Sequence, residues 1–287
     1  MVAIGIFMAC KNPEQVWHPT PADSMEVMDS LKIWKEVFRA SSIIEKKPIP
    51  FNFPYERIPF TDTLHQKFFP VSLYRIIEDT TERDSLVFNE DTTCIAVLFE
   101  GFKGRVEIRC ESLTPLLDSE PVPIYDSCFI YKDTTLRKPY HSESWYKLLF
   151  RYNHNKDAWI LEKVLGVREV SCPDVSYSPE IDSLNLSYND SEKTISRDDA
   201  ESFTPIDSII SLNPGDEVKI LKASIDIPGV FLIGKDSLHY DYSYTKGFPF
   251  SSKGFHSLSL EVVVDSSLIY PDAEYKSILW ALPLYVK

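Results

Sequence analysis

Short runs of β-branched and aromatic residues, separated by turn-forming clusters, constrain this chain more than any other feature. They occupy residues 71–77, 93–99, 105–110, 129–131, 145–151 and 159–164, with Asp, Gly, Pro or Ser clusters between them. Such side chains fit a pleated, half-buried surface, so each run is expected to be a strand. Further runs follow at 218–221, 229–233, 258–264 and 278–286. No sustained alternation of strand and helix patterns accompanies them, which argues against a parallel sheet with crossover helices. The expected class is mainly β, with antiparallel sandwich or barrel-like sheets and one N-terminal amphipathic helix.

That helix is expected near 24–39, because Val27, Leu31, Trp34 and Phe38 recur at helical spacing and Asp23 with Glu26 has the form of a capping box. Residues 48–59 are too proline-rich to continue it or to enter a central strand, and should run extended, anchored by Phe51, Phe53 and Tyr55. Glu100-Gly101-Phe102-Lys103-Gly104 should turn the chain between 93–99 and 105–110. The hairpin would set Val106, Ile108 and Cys110 opposite Phe99, Val97 and Ile95, leaving Cys94 on the other face from Cys110 and not bonded to it. Residues 171–201, with Cys172-Pro173-Asp174, Ser178-Pro179-Glu180 and a polar stretch from 185 to 200, read as a linker or long loop. It would divide an N-terminal β domain of residues 11–170 from a C-terminal β domain of residues 202–287.

Residues 2–9 form an uncharged, mostly apolar run, and Phe7-Met8-Ala9-Cys10 sets a small residue before a cysteine, after which Lys11-Asn12-Pro13-Glu14 turns polar. This resembles the end of a bacterial lipoprotein signal, whose cysteine is lipidated and becomes the new N-terminus. The same run also fits a buried strand. Asp followed by Ser or Thr recurs from Asp23-Ser24-Met25 through Asp84-Ser85-Leu86 and Asp182-Ser183-Leu184 to Asp236-Ser237-Leu238. The pattern is similar to the O-glycosylation sequon of exported Bacteroidota proteins, and it also begins turns through the Asp side chain. Together with Lys47-Pro48-Ile49-Pro50, these motifs resemble a Bacteroidota cell-envelope lipoprotein. The resemblance implies that residues 1–10 are a signal remnant and that a lipid on Cys10 anchors the chain to the envelope membrane, facing the periplasm or the cell surface. It carries no catalytic residues.

The formal charge of -13 repels phosphate backbones, and no Lys/Arg cluster interleaved with aromatics stands out along the chain, so nucleic acid is not an expected partner. No later apolar run approaches the ~20 residues that a membrane helix requires. Cysteines stand at 10, 94, 110, 128 and 172. With Cys10 lipidated, the other four permit two disulfides in an oxidising compartment or serve as buried free thiols.

Catalytic motifs are missing. The nine glycines form no nucleophile elbow, P-loop or dinucleotide fingerprint, and no His or Cys spacing completes a metal site. No catalytic residue, cofactor or metal is therefore assigned. His141 with Glu143, His154 with Asp157, and His239 with Asp241 could each orient an imidazole, although such pairs are ordinary surface contacts. Tyr240, Tyr242 and Tyr244 alternate along one run, which as a strand puts three rings on one face, either to pack inward or to grip a glycan or protein partner. The expectation is a binding or structural module in preference to an enzyme. Its rivals are an envelope hydrolase built from scattered acids and histidines, and a cytosolic all-β protein.

Overall fold

A computed structural model describes residues 19–38, 48–50, 53, 67–89, 92–115, 129–171, 179–235, 238–241 and 247–287. Helix α1 (Pro21–Phe38) precedes the strands β1 (Ile49–Pro50), β2 (Lys67–Phe88), β3 (Thr93–Pro115), β4 (Phe129–Asn153) and β5 (Ala158–Ser171). Then come β6 (Ile181–Tyr188), β7 (Ser191–Ser196), the short helix α2 (Arg197–Ala200), β8 (Thr204–Pro205), β9 (Ile210–Leu212) and β10 (Glu217–Ile225). The remaining elements are β11 (Gly229–Lys235), β12 (Leu238–Asp241), β13 (Phe248–Pro249), β14 (Gly254–Val264), α3 (Asp265–Ile269) and β15 (Ser277–Val286).

The expected class holds: the molecule is mainly β, a curled antiparallel sheet forming a half-barrel plus a second sheet. The main sheet runs β1-β2-β3-β4-β5-β15-β14-β11-β12, with β8 beside β5 and β9 beside β15. The second runs β13-β10-β6-β7. Strand β5 hands the main sheet directly to β15, so residues on both sides of 171–201 share one ladder.

Three local expectations are corrected. First, 93–99 and 105–110 are not the arms of a hairpin but parts of the single strand β3. Gly104 between them sits at a bulge: Ile77 pairs with Gly104 and Asp79 with Lys103, which leaves Glu78 as the extra residue on β2. A Cβ on Gly104 would stand 1.9 Å from the Ile76 carbonyl oxygen, so only glycine fits opposite that bulge. Cys94 and Cys110 are not bonded to each other, but they share the inner face of one strand, roughly 50 Å apart at the usual rise per residue, and do not lie on opposite faces. Second, much of the expected linker is the hairpin β6–β7, turned at Asn189 and Asp190, both at positive φ. Two successive left-handed residues suit the twist of a tight hairpin, and Asn and Asp tolerate them best. Third, the helix starts one turn early. Thr20 and Asp23 form its reciprocal N-terminal bonds, Pro21 takes the first helical position, and Asp23 and Glu26 instead accept from the Nε1–H and backbone N–H of Trp159.

Strands β14 and β15 are buried on both faces. Leu258, Leu260, Val262, Ile278, Trp280 and Leu282 point to the core shared with the second sheet. Residues of the opposite parity point into the half-barrel, whose core includes Val27 and Leu31 of α1, Leu73, Leu98, Val106 and Leu148. The two ends of the main sheet, β1 and β12, lie in contact. From β2 to β5 only the inner face is buried, and the outer side chains of these long strands alternate toward solvent.

Candidate functional site

The inner face of the half-barrel carries a seam of polar side chains that the apolar core encloses. Paired positions place Glu100, Ser144, Glu169, Leu279, Glu261 and Leu232 in one row across β3, β4, β5, β15, β14 and β11. Directly paired residues project to the same side of a sheet, so these carboxyls all face inward. Facing them are Arg75 from β2, Lys138 and Tyr140 from β4, and Tyr275 from the turn before β15. Glu100, Glu169, Glu261, Arg75, Lys138, Tyr140 and Tyr275 are each at most 5% exposed, which puts them out of reach of bulk solvent.

Arg75 is the hub. Its Nη2 donates to Glu261 Oε1 and, at 2.8 Å, to the Tyr275 hydroxyl, while its guanidinium lies 5.7 and 5.8 Å from the Tyr140 and Tyr275 ring centroids. Tyr140 donates its hydroxyl to Glu169 Oε1 at 2.8 Å. Strands β2 and β14 are five places apart in the sheet, roughly 24 Å at the usual strand spacing. Direct contact between their side chains is possible only because the sheet curls, so the Arg75–Glu261 pair ties the half-barrel across its interior. Lys138 donates to the Tyr270 and Ala273 carbonyl oxygens, fastening the turn after α3, and burial lowers its pKa to about 8.

The charges explain the protonation of the seam. Arg75 balances one carboxylate, and burial disfavours a second. Glu169 is accordingly pushed up to about 7, by burial first and by the Glu261 charge second, against the pull of Arg75 and the Tyr140 hydroxyl. Burial likewise raises Tyr140 and Tyr275, which keeps both phenols protonated as donors. Arg75 stays charged because the surrounding acids outweigh its desolvation. The seam can thus hold or release one proton near neutral pH. A buried acid that keeps its proton near neutral pH has the chemistry of a general acid–base group, but here it is enclosed beyond the reach of a substrate.

The sequence-based candidates lie elsewhere. His141 and Glu143 share the outer face of β4, interleaved with the buried Tyr140, Ser142 and Ser144. His154 and Asp157 are exposed in the β4–β5 turn, where Tyr152 donates to Asp157 and packs edge-on to His154. His239, Tyr240 and Asp241 pair with Gly234, Ile233 and Leu232 in β12. Tyr242 and Tyr244 lie outside the described residues, as do Cys10, Cys128 and Cys172. Cys94 and Cys110 are buried free thiols pushed up to about 12 by desolvation, which makes them inert. Among the described residues no group of His, Cys, Asp and Glu could hold a metal ion.

Arg75, Tyr140, Glu169, Glu261 and Tyr275 were not legible as a site. A usable signal was the near-continuous apolar run Ile278-Leu279-Trp280-Ala281-Leu282, which marks a strand buried on both faces. The polar face of its neighbour, Ser257-x-Ser259-x-Glu261, then had to be buried too. No family model matches this chain, and comparison with curated proteins and with solved structures finds no similar one.

Proposed function

We propose that the chain is a lipid-anchored protein of the bacterial envelope that serves as a binding or structural module. The observation that carries the choice of module over hydrolase is the enclosure of the acids. A glycosidase-like pair must touch both the scissile bond and water, whereas Glu169 and Glu261 are 4% and 2% exposed and bonded to Tyr140 and Arg75. Groups so placed hold a sheet in its curl. The anchor rests on Phe7-Met8-Ala9-Cys10, and the partner chemistry, a glycan or a protein, on Tyr240, Tyr242 and Tyr244.

Labelling cells with a palmitate analogue tests the anchor: the chain takes the label and Cys10→Ala abolishes it. An unlabelled full-length chain in the cytosol refutes this part. A glycan array tests the partner, with Tyr242→Ala weakening a bound glycan while the melting temperature holds. Glu169→Gln should leave that binding unchanged, and an activity that disappears with it would restore the hydrolase.

A further inference from the structure

Cross-strand register assembles on the outer face of the half-barrel a basic and aromatic cluster that the linear sequence does not contain. One row across β2, β3, β4 and β5 reads Arg83, Phe99, Trp145 and Arg168. The next reads Ser85, Val97, Lys147 and Leu165, and the third Val87, Ile95, Leu149 and Lys163. None of these side chains is buried, and Val87 is 50% exposed. The face measures roughly 14 Å in each direction between Cα positions. Its apolar side chains are interspersed with Arg83, Lys147, Lys163 and Arg168, and these three rows hold no acid, Glu143 standing one row beyond Trp145, in a chain whose net charge is -13.

The cations differ in availability. Arg168 is engaged by Glu201 at 3.2 Å and Glu180 at 4.0 Å, on the side toward the second sheet. The nearby Glu162 is taken by Arg151 at 2.8 Å. Among the described residues Lys147 and Lys163 make no ion pair, and Arg83 lies 5.9 Å from the Phe99 ring centroid. Their charge is therefore open to an anionic partner.

We infer that this face lies against the surface of an anionic lipid bilayer. Aliphatic side chains gain by leaving water for the boundary between headgroups and acyl chains, Trp favours that depth, and Lys and Arg lay their stems along apolar surface while their charges reach lipid phosphates. A glycan would use rings in one plane. Phe99 and Trp145, with centroids 5.8 Å apart, are inclined at 57°, and a sugar has no use for Ile95, Val97, Leu149 and Leu165. The negative remainder of the molecule would be repelled, so contact through this face also orients the body on the membrane. The inference goes beyond the module reading and does not require the lipid on Cys10.

The test uses the full chain carrying Cys10→Ala, so that no acyl group contributes, in flotation with vesicles containing phosphatidylglycerol and with vesicles of phosphatidylcholine alone. Binding is expected only to the anionic vesicles, weakening as salt rises, with Trp145 fluorescence quenched by brominated lipid. Lys147→Glu with Lys163→Glu should reduce partitioning at least about tenfold at an unchanged melting temperature. Equal partitioning of that variant, equal binding to both vesicles, no binding to either, or retention by an acidic polysaccharide in place of vesicles each overturns the inference. Vesicle data leave the Cys10 tether untouched, and the palmitate label leaves this face untouched, so the two ideas fail separately.

Discussion

The two faces of β14 and β15 enclose cores of opposite character. Toward the second sheet the residues are Leu258, Leu260, Val262, Ile278, Trp280 and Leu282, an apolar interface whose polar contacts, such as Arg168 with Glu201, lie at its edge. Toward the half-barrel β14 presents Ser257, Ser259 and Glu261, and the core there is interrupted by Arg75, Glu169, Tyr140 and Tyr275. The flat interface needs only complementary shape, since two sheets face each other at a distance set by their side chains. The curled one must bring β2 to β14 at one register, and directional bonds specify a register that apolar contact leaves loose. Buried ion pairs add little net stability over well-packed apolar residues, so specification of the curl is the more reasonable use of this seam.

That contrast breaks first at the hub. Arg75→Ala strands Glu261 in the interior and should cost about 3–5 kcal/mol in urea unfolding, whereas Arg75→Met with Glu261→Leu should recover most of the loss. If recovery comes with broadened NMR spectra, the pair specifies; if spectra stay sharp, it does not.

Next in size is a pH effect confined to the seam. Folded, Glu169 holds its proton up to about pH 7, whereas its unperturbed value is 4.5. Its contribution is therefore fully present below about pH 4.5 and lost as pH rises through 7, roughly 3 kcal/mol in all. The stability difference between the wild type and Glu169→Gln should follow that curve, and a flat difference would mean that Glu169 is ionised in the fold. On the apolar side Ile278→Val should cost about 0.5–1.5 kcal/mol at every pH, as calorimetry can establish. The smallest effect belongs to Ser259, 1% exposed with its hydroxyl unbonded. Ser259→Ala should change the denaturation midpoint little, within about 0.5 kcal/mol and toward greater stability, because no bond is lost and a buried polar group is removed.

Strand type and the helix were readable because they depend on neighbours along the chain. Val27 and Leu31 are both buried, as their spacing required. What failed depended on neighbours across the sheet. Gly101 and Gly104 carry the same local signal for a turn as for a bulge, and only the partner strand, with its extra Glu78, decides between them. His141 and Glu143 are the titratable groups of their stretch, yet the residues that alternate with them, Tyr140, Ser142 and Ser144, are the ones turned inward. Parity was visible; which parity faced inward was not, because a Ser–Leu alternation ordinarily means one face in water. The Phe99–Trp145 face was equally hidden, its residues being distant in sequence and joined by register alone.

Arg75 and Glu261 are 186 residues apart in the chain, which sets an order in time as well as in space. A chain synthesised from its N-terminus presents the inner face of β2 long before β14 exists, and no earlier strand offers the carboxylate that Arg75 finally meets. Contacts of such separation form late, after the entropy of closing the intervening loop has been overcome. The meander β2–β4 can zip locally, but the half-barrel must wait for residue 261. Pulse-labelled hydrogen exchange during refolding should therefore find α3 and β14 amides protected in the same late phase, after β3 and β4. The tie that fixes the curl is also the clock of its assembly.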